Sequence, residues 1–487
     1  MAACMKKPFF IGIDIGTQGL RILAVDITGT ELGATEETFP LSEDLRREQD
    51  PLLWWTALRR SMKNLIASVG SAGLSGISVT STSGTVIPLD AAGNPLYPAI
   101  MYSDTRQNEE AAYCRQLAAG SGEKAFVVFN SSCGLPKMLW FVKNHPGQAR
   151  HIRYWAHAAD FIVGRLSGRY GVSDYTNVLK SGYDVANMRW PEWITAGLPV
   201  KQEWFPEVLP PGGIAGQLDQ HLKTEFGIEQ DVPVAAGMTD GCASQVASGA
   251  VKPGQWNSTI GTTLVLKGIT TSVVDDPQGR LYSHRHPEGY WMPGGAANIG
   301  SDWVRSEFPG TDLDVLTAAA VAKVPTGQFS YPLMQQGERF PFIAPQARGF
   351  EPAGLDEATR FAAKMEGLAY VERYAFELAA ALSGEKAEAV YSAGGGSNNP
   401  LWLQIRSNVL NLPLHKMENV TGALGAAILA ASATYFGSLT EAAEAMTSIE
   451  QTVLPQPEQT RQYETSYLEF IGLLKEKGYL ENETNYA

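Results

Sequence analysis

Apolar residues in the first part of the chain come in short β-rich runs, and two of these frame a glycine-bearing turn. Phe9–Ile15 and Leu20–Ile27 flank Gly16-Thr17-Gln18-Gly19, a pattern that predicts a β-hairpin. Over Pro51–Ser68 the period changes. Leu52, Trp55, Leu58, Met62 and Leu65 recur at helical spacing, so a helix is expected there. Leu74–Thr80 alternates as a strand, enters the hydroxyl-rich turn Ser81-Thr82-Ser83-Gly84-Thr85 and continues in a second strand, Val86–Asp90. A further helix is expected from about Gln107. Ser173–Asp184 is polar and reads as loop or helix start, and Pro206–Gly213 reads as an irregular connection. Val232–Gly237 has the look of a short buried strand that ends at Met238-Thr239-Asp240-Gly241, ahead of a small-residue helix over Cys242–Ala250.

The pattern then repeats. Gln255–Thr270 is again strand, Gly-Thr turn, strand, and Ile260-Gly261-Thr262 follows Ile15-Gly16-Thr17 by 245 residues, about half the chain. A duplicated fold accounts for both turns. Glu357–Leu382 predicts a long helix whose stripe of Phe361, Met365, Leu368, Val371, Ala375, Leu378 and Leu382 marks a core face. A strand from Ala389 feeds Gly394-Gly395-Gly396-Ser397-Asn398-Asn399, and a helix follows with Leu401, Ile405 and Val409 on one face. Strand, glycine-rich turn and helix N-terminus form a cradle for an anion or nucleotide. No Gly-Lys-Ser/Thr follows, so this is not a Walker P-loop, and the spacing is not a dinucleotide fingerprint. Thr421–Ala433 predicts a small-residue helix packed closely behind that turn, and Arg461–Leu474 an amphipathic terminal helix.

Composition narrows the classes. The 487 residues suit two large domains or about three smaller ones, and 44% hydrophobic residues suffice for substantial cores. A net charge of −13 argues against a nucleic-acid backbone or an anionic membrane as partner, while leaving nucleotide binding open. Met1–Lys7 runs into a strand-like segment, so neither a signal peptide nor a membrane span is expected. Four cysteines, Cys4, Cys114, Cys133 and Cys242, with no C-x-x-C pair fit a reduced, cytoplasmic protein. Cys242, in a small-residue helix, is expected to be a buried bystander. His284-Arg285-His286 would set both imidazoles on one strand face, but without a third ligand nearby no zinc site is expected.

Two carboxylates carry candidate chemistry. Asp14 interrupts an apolar strand, and an unpaired carboxylate is costly to bury, so it should stand near the strand end and face a polar cleft. The adjacent glycines let backbone N–H groups approach an anion, and Thr17 and Gln18 add donors. A carboxylate beside such donors suits a phosphate bridged by Mg²⁺. A plain hairpin in which Asp14 bonds its own turn is the alternative. Asp240 at a strand-to-helix junction is either an N-cap or an ionised group held in a cleft by the helix N-terminus. Asp104 and Arg106 either fork around a polyol or pair and cap the following helix.

Taken in order, these segments resemble the FGGY carbohydrate kinase family, within the sugar kinase, Hsp70 and actin fold superfamily. The resemblance runs from Phe9 to about Phe436 through Asp14-Ile-Gly-Thr17, Asp240-Gly241, Ile260-Gly-Thr-Thr263, Gly394-Gly-Gly-Ser-Asn-Asn399 with Trp402, and Gly422-Ala-Leu-Gly-Ala-Ala427. Ser81–Thr85 stands where many xylulose kinases carry Gln-Met-His-Gly, and Ser407-Asn408 where Ala-Asp is usual. Ser81–Thr85, together with Ser173–Asn177 and Ser181–Asp184, looks most like the cyanobacterial and plant pentulose kinases that resemble D-ribulose kinases. The resemblance implies an α/β fold of two ribonuclease-H-like lobes around a deep cleft. Residues 1–248 would bind sugar and phosphate, and residues 249–487 ATP. It implies ATP and Mg²⁺, with a ketopentose, most specifically D-ribulose, as acceptor and D-xylulose as the alternative. Asp240 would be the catalytic base. Asp14 would hold Mg²⁺, and Asp14, Ser83 and Asp240 the sugar hydroxyls. Gly16, Thr17, Gln18, Gly261, Thr262 and Thr263 would hold phosphates, and Gly394, Gly395 and Asn399 the adenosine side. The expected partners are the sugar and ATP alone, in a monomer or homodimer. A nucleotide-gated interaction protein and a degenerate sugar sensor are the competing classes. The acidic residues and the polar sugar-side loops favour the kinase.

Overall fold

β1 (Phe9–Gly16) and β2 (Gly19–Asp26) pair antiparallel with Gly16 opposite Gly19, so the hairpin closes on the two residues Thr17 and Gln18. The computed structural model describes residues 7–40 and 42–481, so Cys4 and the reading of residues 1–6 lie outside the described residues. β3 (Glu31–Thr38), β4 (Leu74–Ser81), β5 (Ile214–Gln217) and β6 (Pro233–Thr239) complete a sheet of order β5-β6-β4-β1-β2-β3. Its core strands are buried almost throughout, as in a sheet covered on both faces.

The second half builds β7 (Gln255–Ile260), β8 (Leu264–Gly268), β9 (Tyr282–Arg285), β10 (Trp291–Ala296), β11 (Ala389–Ala393), β12 (Leu414–Met417) and β13 (Ile449–Val453), in the order β9-β10-β8-β7-β11-β12-β13. From β3 the first sheet reads antiparallel, antiparallel, parallel, parallel, antiparallel. From β10 the second sheet reads the same. β1 and β7, the strands that carry the two Gly-Thr turns, hold the same place in this series. The 245-residue repeat is a duplicated topology.

The chain divides into two compact units. The first is residues 1–247 with His284–Gly289 and Thr421–Thr447, and the second is Ser248–Ser283, Tyr290–Val420 and residues 448–487. The first boundary falls between Ala247 and Ser248, and Thr421–Thr447 returns to the first unit. The helix Gly422–Thr434 packs on β1 and β4 there, rather than behind the triple-glycine turn. It is apolar on all sides, and close approach permits this packing: a Cβ on Gly12 would run into the Ala423 carbonyl, and one on Gly425 into the backbone of Ala243.

The helix Pro51–Val69 forms as expected, with Asp50 accepting from Leu52 N, but its buried face is shifted. Trp54, Ala57, Leu58, Ser61, Met62 and Leu65 point inward, whereas Leu52 is 43% exposed. Trp54 is drawn in by Gln49, whose Oε1 accepts from Trp54 Nε1 at 2.9 Å. The long helix runs Glu357–Ser383 and the last one Pro457–Glu476. Cys114, Cys133 and Cys242 are buried and form no disulfide. Among the described residues, no helix is long and apolar enough to cross a membrane.

Candidate active site

In the first unit, β1, β4 and β6 run parallel side by side, and each leads at its C-terminal end into one of the expected site residues. Asp14 lies near the end of β1, Ser83 in the turn after β4, and Asp240 directly after β6 as the first residue of the helix Asp240–Ala247. In open α/β sheets, ligands gather at this edge.

Asp14 lines a cavity of about 520 Å³ with Gly16, Thr17, Gln18, Arg21 and Tyr102. Burial, reinforced by the like charge of Asp240 and opposed by Arg21, pushes its carboxyl up from the ordinary 3.8 to about 7. Asp14 and Asp240 are therefore close enough for one charge to resist the other. Asp240 Oδ1 accepts from Gly241 N at 2.7 Å, which serves the helix start while the carboxylate stays half-buried. The hairpin turn beside Asp14 is pinned from behind. Gln49 Nε2 donates to Thr17 O at 3.0 Å, and Phe39 N to Gln18 O at 2.7 Å.

The turn after β4 spends most of its hydroxyls on the protein. Ser81 Oγ accepts from Ala159 N at 2.9 Å, Thr85 Oγ1 accepts from Tyr102 N at 3.2 Å, and Thr82 and Thr85 hydroxyls lie 3.2 Å apart. Ser83 Oγ alone in this turn is buried without a hydrogen-bond partner. Asp104 and Arg106 pair: Arg106 Nη2 reaches Asp104 Oδ2 at 2.7 Å and Glu48 Oε1 at 2.5 Å. Burial works to raise the Asp104 carboxyl, but the hydrogen bonds from Arg106 and Gln107 outweigh it and hold it low.

In the second unit, Gly261 follows β7 and Gly394 follows β11, again at the C-terminal ends of adjacent parallel strands. Ser301 N and Oγ both donate to Gly261 O, at 2.8 and 2.7 Å, and Gly300 lies against the backbone of Thr262. Gly394 has φ +83, and a Cβ there would sit 2.5 Å from Ile260 O, so glycine is required for the turn itself. Gly395 faces open space, with nothing of the protein within 4 Å of a Cβ built on it. The Asn399 amide is engaged: Oδ1 accepts from Trp402 N at 3.1 Å, and Nδ2 donates to Thr317 Oγ1 at 2.8 Å. Trp402 belongs to the core, its Nε1 donating to Met365 O. Ser407 and Asn408 tie the helix Pro400–Leu410 to the end of β13 and the segment after it, Ser407 Oγ donating to Val453 O at 3.2 Å and Asn408 Oδ1 accepting from Gln456 N at 2.8 Å.

Three supports were not legible as such in the sequence. Asp174 Oδ1 accepts from Thr176 Oγ1 at 2.5 Å, and Thr176 Oγ1 accepts from Thr239 N at 3.0 Å, which anchors the residue before Asp240. Gly300 and Ser301 back the second Gly-Thr turn. Gly422 abuts Asp14, with a Cβ there only 2.6 Å from Asp14 Oδ2. Hydroxyl-rich and glycine-bearing spacing marks such places as turns without saying what they touch.

Among the described residues no cluster of three or more His, Cys, Asp or Glu could ligate a metal by itself. The residues nevertheless fit Mg²⁺. It is commonly held by one or two carboxylates with waters and substrate phosphates, and a divalent cation would relieve the repulsion between Asp14 and Asp240.

Two α/β units of one duplicated topology, each with its turns gathered at one sheet edge, define the class. Residues 9–247 match the N-terminal domain and residues 256–434 the C-terminal domain of the FGGY family of carbohydrate kinases. The chain belongs to this family and is an ATP-dependent carbohydrate kinase. It is 26% identical to a xylulose kinase from Staphylococcus epidermidis, over 97% of both chains. It is 25% identical to a gluconokinase from Bacillus licheniformis, over 98% of this chain and 96% of the relative. In structure it is similar to a xylulose kinase from Rhodospirillum rubrum, with a TM-score of 0.85, 24% identity, and coverage of 96% of this chain and 98% of that one. These relatives support the family without the narrower resemblance to D-ribulose kinases.

Proposed function

We propose that the protein transfers the γ-phosphoryl group of ATP to a hydroxyl of a ketopentose, and that D-xylulose is preferred. The observation that carries the chemistry is the array of Asp14, Ser83 and Asp240 at the ends of three adjacent parallel strands, with Asp14 and Asp240 electrostatically coupled. Asp240 accepts the hydroxyl proton as the sugar oxygen bonds to the γ-phosphorus and the bond to the β-phosphate oxygen breaks. Asp14 holds the cation side, and Thr17, Gln18, Thr262 and Thr263 donate to phosphate oxygens. Gly394 and Gly395 let the backbone approach the nucleotide, and Asn399 stands on the adenosine side. Ser83 Oγ, which has no partner in the protein, donates to a sugar hydroxyl. Mg²⁺, when bound, offsets the phosphate charge. Positioning and charge stabilisation supply most of the rate, as is general for phosphoryl transfer.

The preference for D-xylulose rests on the relatives named xylulose kinase that match over most of the chain. D-ribulose is the second reading, favoured by the histidine-free turn Ser81–Thr85. Epimers differ in one hydroxyl, and a misdirected one leaves a buried group unpaired at about 1–3 kcal/mol, or roughly 5–150-fold in kcat/KM. A coupled ADP assay over D-xylulose, D-ribulose, D-gluconate and glycerol decides between them. A tenfold advantage for D-ribulose would favour the second reading, and a best rate on gluconate or glycerol would sink both.

A further inference from the structure

We infer that the buried pair Arg406–Glu372 is a positioning device for the two second-unit turns assigned above to the nucleotide, an inference that rests on that assignment. Arg406, on the helix Pro400–Leu410, and Glu372, on the helix Glu357–Ser383, both have fully buried side chains. Arg406 Nε donates to Glu372 Oε2 at 2.7 Å, and Nη2 donates to Glu372 Oε1 at 2.8 Å. The same guanidinium reaches two serines, Nη1 to Ser392 Oγ at 2.6 Å and Nη2 to Ser258 Oγ at 2.9 Å. Ser258 Oγ donates in turn to Glu372 Oε1 at 2.5 Å.

The placement of those serines gives the pair its meaning. Ser258 on β7 and Ser392 on β11 are register partners in neighbouring parallel strands. Gly261 comes three residues after Ser258, and Gly394 two residues after Ser392. One planar fork thus clamps both strands just before each leaves the sheet for its turn. The clamp continues outward, because the Ser392 and Ser397 hydroxyls lie 3.2 Å apart and Ser397 belongs to the triple-glycine turn. The turns also rest on each other: a Cβ on Gly394 would meet Ile260 O at 2.5 Å, and one on Gly396 would meet Ile260 Cγ2 at 2.7 Å.

Stability alone does not explain an ion pair here, since well-packed apolar residues of similar volume commonly serve a core as well or better. The guanidinium provides fixed direction, with several donors in one rigid plane. Setting the relative height of the two strands sets the relative position of the Gly261–Thr263 and Gly394–Ser397 backbones, and hence of the N–H groups that would face phosphates and adenosine.

The test uses the full chain and reads nucleotide and sugar separately. In the double variant Arg406→Met with Glu372→Leu, the thermal midpoint should stay within a few degrees of the native value. Its calorimetric ATP affinity should weaken about tenfold, the scale of one or two lost directional hydrogen bonds, with KM for the sugar unchanged. Ser397→Ala leaves the Arg406–Glu372 pair and both strand serines intact, and should weaken ATP about threefold while the loss of one hydroxyl contact lowers the midpoint by no more than a few degrees. This single variant decides the matter if the double one does not fold. Native ATP affinity in Ser397→Ala, or in a folded double variant, would overturn the inference and leave the kinase reading standing. Absence of ATP binding by the unmutated protein would overturn the nucleotide assignment and this inference together.

Discussion

Gly422 is pressed against the carboxylate of Asp14: a Cβ at this glycine would lie 2.6 Å from Asp14 Oδ2 and 2.8 Å from its Cγ. Gly422 opens the helix Gly422–Thr434, so Asp14 stands at a helix N-terminus, where the dipole favours negative charge. Burial and Asp240 push the other way and prevail, leaving the carboxyl near 7.

Gly422→Ala should therefore displace the Asp14 side chain by a few tenths of an ångström or more. Alanine is otherwise the better helix former, so the helix has no reason of its own to fail. Turnover should fall about tenfold or more, as misplacement of a reacting group does, with far-UV circular dichroism unchanged. Native turnover would show that the carboxylate tolerates the shift.

Asp14 also predicts a pH-dependent stability cost. Its folded value lies above its unfolded one, so the cost is absent below about 3.8, grows as pH rises toward 7 and is complete above. The rise corresponds to about 4 kcal/mol as an upper bound. Asp14→Asn should raise the thermal midpoint of the ligand-free protein at pH 8, and the gain over the unmutated chain should shrink toward pH 4. A gain independent of pH would contradict the raised carboxyl.

Asp240→Asn keeps the shape and removes the proton acceptor. Turnover should drop about 10²–10⁴-fold, the usual range for loss of a general base, while sugar binding by calorimetry changes far less. Near-native turnover would remove Asp240 from the chemistry.

The adjacent glycines Gly394 and Gly395 should separate folding from binding. A Cβ at Gly395 meets nothing of the protein within 4 Å, so in Gly395→Val a loss of ATP affinity with an unchanged midpoint would report the nucleotide. Gly394→Ala, at φ +83 and against Ile260 O, should lower the midpoint as well. Unchanged ATP binding in Gly395→Val would reduce the triple-glycine turn to a helix lead-in.

Ser83→Ala removes the one hydroxyl of its turn that is buried without a partner. Stability should hold, because no hydrogen bond within the protein is lost, and kcat/KM for the best sugar should fall about 5–10-fold. An equal loss on every sugar would mean that Ser83 holds a hydroxyl common to all of them and does not select among them.

Local pattern was enough for the hairpins, the long helix, the glycine-rich turn and the repeat, because period, turn chemistry and spacing are properties of neighbouring residues. It failed where a face depends on a distant partner. Leu52 has the right spacing for the buried stripe of its helix, yet Trp54 is drawn inward by Gln49. The helix Gly422–Thr434 carries no directional signal, being apolar all round, so its sequence could not say against which sheet it packs. Tertiary structure places it on β1 and β4, where Gly12 and Gly425 allow backbones to touch and Gly422 reaches Asp14. The carboxylates Asp14 and Asp240 could be picked out from strand-end positions alone. That Asp240 raises the cost of ionising Asp14 follows only from their separation in space, because 225 residues of chain lie between them and Coulomb's law acts through that separation and the burial around it.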